Sequence, residues 1–174
     1  MKNILITFLL AICALTAGCH SKAAILIPDF ETAAEQYMFA KNMRERSFFH
    51  AEKKDERRDK AIVMAYDKIL ERFPDDMKIT PLAYVELGDI HYRRKDYKKA
   101  IAIYEKSILK YSTQDEIVCK ALFGAASAYD HQKDFEKAMN YYKMCYERFE
   151  SDQRAFLAVI GAQARINYSK IRIR

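Results

Sequence analysis

Three stretches of the chain repeat one pattern at a constant spacing: DKAIVMAYDKILERFP from Asp59, YKKAIAIYEKSILKYS from Tyr97 and FEKAMNYYKMCYERFE from Phe135. Tyr66, Tyr104 and Tyr142 fall 38 residues apart. So do Val63, Ile101 and Met139, then Leu70, Ile108 and Tyr146, then Phe73, Tyr111 and Phe149. Within each stretch these positions step by three or four residues, which puts them on one face of a helix. A period of this size marks a stack of like units, each burying its apolar face against the next. With only four glycines and three prolines in 174 residues, punctuation is scarce, so long helices with short turns are expected.

The segments ahead of the second and third stretches correspond as well. Tyr84, Leu87, Gly88 and His91 align with Leu122, Ala125, Ala126 and Tyr129. A glycine inside a helix costs about 1 kcal/mol relative to alanine, so Gly88 implies a packing reason. Small residues recur in the second helices too, as Ala100 and Ala138, in phase with the tyrosines. A plain helical bundle has no cause to keep small and large positions in step over two units. Asp96 and Asp134 each stand just before a second helix, where a carboxylate can cap free amides.

This pattern resembles the tetratricopeptide repeat (TPR), in which small residues in both helices of a unit let them approach closely. The resemblance implies an all-α, TPR-type α-solenoid of antiparallel helix pairs over 31–174. Its units are expected at about 31–76, 77–114 and 115–152, followed by a capping helix at 153–170. The repeat is four residues longer than the usual ~34, with the excess placed in the turn around STQDE. The first unit's leading helix fits poorly at the ungapped positions, and ETAAEQYMFAKNM is the better candidate, in one long helix from about Thr32 into the fifties. The resemblance also implies a binding groove lined by first-helix side chains. Carried onto this sequence, these are Leu82, Val85, Asp89, Tyr92 and Arg93 in the second unit, and Lys120, Phe123, Ser127, Asp130 and His131 in the third. For Val85 and Phe123, core packing is the alternative. The set lacks the Lys/Asn pattern that holds a terminal carboxylate, so an extended or helical peptide gripped by apolar anchors is expected.

The amino terminus carries a separate signal. Lys2 precedes an uncharged, largely apolar run from Ile4 to Leu15, too short to span a bilayer comfortably. It ends in Leu15-Thr16-Ala17-Gly18-Cys19, which resembles a bacterial lipobox. Residues 1–18 are then a lipoprotein signal peptide and Cys19 the lipidated first residue, with 19–30 as a tether. Several acyl chains at ~0.8 kcal/mol per buried methylene anchor firmly. The expected location is the bacterial envelope, at the outer membrane facing the periplasm. Cys119 and Cys145 remain, either as two buried small hydrophobes or as a disulfide in an oxidising compartment.

Nothing in the sequence points to catalysis. His20, His50, His91 and His131 form no metal-spaced pair, and no glycine-rich phosphate loop is present, so no metal or cofactor is expected. His91 is expected to pack inside its unit and His131 to end a helix at the surface. Thirty Lys and Arg against 24 Asp and Glu give a net charge of +6, but the charges are interspersed, as on a solvated helical surface. No basic cluster with interleaved aromatics argues for nucleic acid. The expected role is a lipid-anchored scaffold for an envelope protein or peptide segment. It resembles the TPR lipoprotein subunit of the outer-membrane β-barrel assembly machinery. The alternatives are a TPR pilotin for secretins, or a self-associating spacer whose groove receives its own AAILIP tether or a neighbour.

Overall fold

The structure, a computed structural model, describes residues 25–49 and 56–173. The expected signal peptide, Cys19, His20, His50 and the continuation of the first helix into the fifties lie outside the described residues. Seven helices follow one another among the described residues: α1 (Ala33–Phe49), α2 (Glu56–Arg72), α3 (Thr80–Arg93), α4 (Tyr97–Lys110), α5 (Asp115–His131), α6 (Phe135–Phe149) and α7 (Ala155–Arg172). Each helix packs on the next, and α5 also touches both α3 and α7. The first helices of successive units therefore form one continuous layer. The fold is the all-α solenoid expected from the repeat.

Local chemistry sets the helix boundaries. Thr32 opens α1 with a reciprocal cap: its Oγ1 accepts from the Glu35 amide at 3.2 Å, and the Glu35 carboxylate accepts from the Thr32 amide at 3.2 Å. Asp76 Oδ1 accepts from the amides of Lys78 and Ile79 and turns the chain into α3, where Pro81 occupies the first turn. Asp134 caps α6, accepting from the Lys137 amide. Asp96 makes no such bond to α4; its carboxylate lies 3.5 Å from His91 Nδ1 and 3.4 Å from Lys99 Nζ.

The turns inside the second and third units share one backbone device. Lys95 and Lys133, 38 residues apart, adopt left-handed φ values of 63° and 64°. The amides that follow, Asp96 and Asp134, donate back to the carbonyls of His91 and Tyr129, closing each helix end. A side chain there costs on the order of 1 kcal/mol. Lys95→Gly and Lys133→Gly are each expected to raise stability by about 0.5–1 kcal/mol in urea unfolding, since glycine adopts this conformation freely. The same change at Lys99, inside α4, is expected to lower stability by about 1 kcal/mol.

The repeated tyrosines form the spine of the core. Tyr66, Tyr104 and Tyr142 are all buried, as are Ala100, Ala126 and Ala138. The space at Gly88 is filled by the Tyr104 ring, which a Cβ on Gly88 would overlap. Gly124 on α5 faces the same ring from the other side, where a Cβ would stand 2.5 Å from Tyr104 Cζ. One aromatic ring from α4 is thus wedged between two first helices, α3 and α5. The vacancy receives a side chain of the partner helix rather than its backbone, and it is shared between neighbouring units.

Backbone meets backbone at Gly161 instead. A Cβ there would lie 2.5 Å from the Glu150 amide nitrogen. Leu157, Gly161, Ala164 and Ile171 form the buried face of α7, so this helix covers the last apolar surface of α6. Arg154 and Arg148 both bond Asp115, at 2.6 Å each, tying the start of α7 to α5 and α6.

At the other end, the later half of the expected tether is part of the folded body. Ile27 is buried against α1 and α2, and Lys68 Nζ donates to its carbonyl and to Asp29, both at 2.7 Å. The Phe30 ring meets Phe39 at 5.4 Å. Cys119 and Cys145 are buried free thiols, with Cys145 Sγ donating to the Cys119 carbonyl at 3.8 Å.

Candidate functional site

A cleft of about 340 Å³ opens where α3, α5 and α7 meet. Tyr92 enters it from α3, and Phe123, Ser127, Asp130 and His131 from α5. Tyr142 of α6, with Asn167 and Lys170 of α7, completes the wall. The positions on α5 follow from helical spacing: 123, 127 and 130 step by four and three, so they share one face.

Aromatic contacts hold the walls. Phe123 meets Tyr142 edge-on at 5.7 Å. His131, the last residue of α5, stacks on Tyr97 at 5.1 Å with 6° between planes and meets Tyr92 edge-on at 5.5 Å. Hydrogen bonds fix the floor. The Tyr142 hydroxyl lies 3.0 Å from Ser127 Oγ and accepts from Asn167 Nδ2 at 3.2 Å. Ser127 Oγ donates to the Phe123 carbonyl at 2.9 Å. The cleft thus offers aromatic faces, a fixed set of polar atoms and charges of both signs.

The second unit places its equivalent residues differently. Asp89 stands one repeat before Ser127, and its Oδ1 accepts from the Tyr104 hydroxyl at 2.5 Å. Both pairs span fifteen residues, so a second-helix tyrosine reaches the same first-helix position in each unit. Burial pushes the Asp89 pKa up, while the Tyr104 bond and then Arg93, Arg44 and Lys120 draw it back. Glu86 is likewise raised by burial and pairs with Arg44 of α1. Lys120 bonds Glu116 at 2.7 Å and sits 5.1 Å above the Phe156 ring. A charged strip of Arg44, Glu86, Asp89, Arg93 and Lys120 is therefore separate from the aromatic cleft.

Of the ten groove positions expected from the repeat, Tyr92, Phe123, Ser127, Asp130 and His131 meet in the cleft. Val85 is a correction: it is buried among Tyr84, Tyr111 and Ile117, because α5 closes over that side of α3. Leu82 is half-buried against the same cluster. Asp89 is committed to Tyr104, and Arg93 is exposed. Sequence reasoning missed Tyr142, Asn167 and Lys170. The repeat carried no signal for the α7 residues: the 38-residue offset takes Phe123, Ser127, Asp130 and His131 to Gly161, Arg165, Tyr168 and Ser169, not to Asn167 or Lys170.

The expected tether does not occupy this cleft where it is described. Ile27 and Phe30 lie on α1 and α2, so the self-ligand form of the spacer reading does not hold for these residues. Among the described residues, no three His, Cys, Asp or Glu side chains gather as a metal-holding group, and no helix is long and apolar enough to cross a membrane.

Residues 80–151 match the family model described as tetratricopeptide repeat. A 78-residue stretch is 33% identical to the ERAD-associated E3 ubiquitin-protein ligase component HRD3 of Candida glabrata, covering 44% of this chain. The match spans 9% of that much longer relative, so it speaks to the repeats alone. The helix pairs, the constant offset and the match over residues 80–151 together make the fold a TPR-type α-solenoid, and repeats of this kind serve as protein-interaction scaffolds.

Proposed function

We propose that this chain is a lipid-anchored scaffold of the bacterial envelope, which holds a peptide segment of an envelope protein in the cleft between α3, α5 and α7. The observation that carries the binding half is the convergence of Tyr92, Phe123, His131 and Tyr142 around fixed polar atoms in one opening. Aromatic faces supply apolar contact at low entropic cost, and the rim charges orient the segment. The anchoring half rests on Leu15–Cys19 and on the short chain between Cys19 and the docked Ile27. The fungal relative's name describes that protein's own ligase assembly and does not bear on the compartment.

A photoreactive residue in place of Lys170, at the cleft mouth, is expected to give a covalent adduct with an envelope protein in intact cells. The same residue at Lys99, which is exposed on α4 away from the cleft, is expected to give none. Equal yields at both sites would contradict the cleft as the docking place. Fatty-acid labelling should be lost in Cys19→Ser, and a mature start at any other residue would remove the anchor.

A further inference from the structure

The outer face of α7 breaks the rule for the end of a solenoid. Terminal helices normally turn a polar face to water. Here Val159 is 68% exposed and Ile166 46%, and Ile173, the residue that follows the helix, is 85% exposed. They recur every seven residues, and Ala155, Ala162 and Ser169 recur beside them at the same period. The six positions step by four and three along the helix, the spacing of a coiled-coil seam with β-branched residues in one set and small ones in the other. None of the six is charged.

The repeat itself shows that this face is of a kind that a helix covers. Val159 is equivalent to Ala83 and Ala121, and Ile166 to Ile90 and Ala128, by the 38-residue offset. All four equivalents are buried, Ala83 and Ile90 against α2 and Ala121 against Ala100 and Tyr104 of α4, the second helices of the preceding units. In α7 the same positions are exposed, and they carry branched side chains where a polar surface would be cheaper to hydrate.

We infer that the occupant is α7 of a second copy of this chain, packed antiparallel about a two-fold axis. Charge selects the direction, and the match of large to small positions below selects the partner. Residues 155–164 of α7 are uncharged, whereas Arg165, Lys170 and Arg172 all lie in its later half. A parallel pair would bring six cations together. The antiparallel pair sets each basic half along the neutral half of the other copy, and opposes the two helix dipoles. The seam then matches large to small: Val159 against Ser169, Ile166 against Ala162, and Ile173 against Ala155. Lys170 falls near Phe156 of the other copy, while Arg165 is already bonded to Glu150 at 2.5 Å. A two-fold contact of this kind is self-complementary and closes on itself. One helix pair about 27 Å long is a small interface, so association is reversible and concentration-dependent. The cleft adjoins the seam on the Asn167 side of α7, with Lys170 at the boundary between the two.

Sedimentation velocity of the purified full chain is expected to shift from monomer to dimer across the micromolar range. Ile166→Glu should stay monomeric at every concentration, with an unchanged helical spectrum. Differently tagged copies carrying Ala155→Cys and Ile173→Cys should cross-link to each other. A chain that is monomeric throughout overturns the inference, as does an Ile166→Glu variant that still dimerises. Self-linking of Ala155→Cys would signify a parallel pair and overturn it too. So would a monomer whose α7 stripe binds anionic vesicles or another protein instead.

Discussion

Tyr104→Ala is expected to lower the free energy of unfolding by about 4 kcal/mol, within the range for removing a buried aromatic ring. The site cannot collapse around the loss. The ring lies between Gly88 and Gly124, and neither has a side chain to move into the space. The change also removes the hydroxyl that donates to the half-buried Asp89 carboxylate at 2.5 Å. A domain of this size has about 5–15 kcal/mol in total, so the variant should unfold at much lower urea. Tyr104→Phe keeps the ring and loses only the hydrogen bond, and should cost about 1–2 kcal/mol. A near-equal cost for the two variants would mean that the hydroxyl, not the wedge, matters at this position.

Gly161→Val should be comparably severe, for a different reason. The atoms in the way are the Glu150 amide nitrogen and Cα and the Phe149 carbonyl carbon, at 2.5–2.8 Å from the added Cβ. Backbone at the end of α6 has no rotamer to change. The helix must move off, exposing Leu157, Ala164 and Ile171 and pulling Arg165 from Glu150. The cost is expected to be about 3 kcal/mol or more, the upper end for overpacking. Even Gly161→Ala should destabilise, although alanine gains about 1 kcal/mol in helix propensity. The damage should be local, with amide exchange accelerating in α7 while α3 and α4 keep their protection. Uniform acceleration over all helices would contradict a separately docked terminal helix.

The repeat was legible because large and small residues recur in step, and the offset survives every substitution within it. The tyrosine spine, the burial of Ala100 and Ala138, and the surface end of α5 at His131 all follow from that register. Gly124 was not legible. Its equivalents are Glu86 and Ala162, so no small-residue rule marks it. It is needed because the Tyr104 ring crosses from one unit into the next, a contact that no pattern within one unit contains.

The binding cleft was half legible for a related reason. First-helix spacing names Tyr92, Phe123, Ser127, Asp130 and His131, but it cannot tell a groove valine from a core valine. Val85 is buried in a cluster that Tyr111, at the end of α4, and Ile117 of α5 complete. Tyr142 reaches the cleft through the layer of first helices, its ring buried and its hydroxyl at the floor. The exposed stripe of α7 was hidden by the expectation that a last helix is simply a cap. Its inner face does cap α6, and its outer face keeps the apolar pattern of an internal unit.

The most direct test of the wedge is a double-mutant cycle between Gly88 and Tyr104, read by urea unfolding. With Tyr104 present, Gly88→Ala should destabilise, because the added methyl overlaps the ring. With Tyr104→Ala as the background, the same change should stabilise by up to about 1 kcal/mol, since the space is empty and alanine favours the helix. A Gly88→Ala substitution that stabilises in both backgrounds would contradict the claim that tyrosines nested between small residues hold these units together.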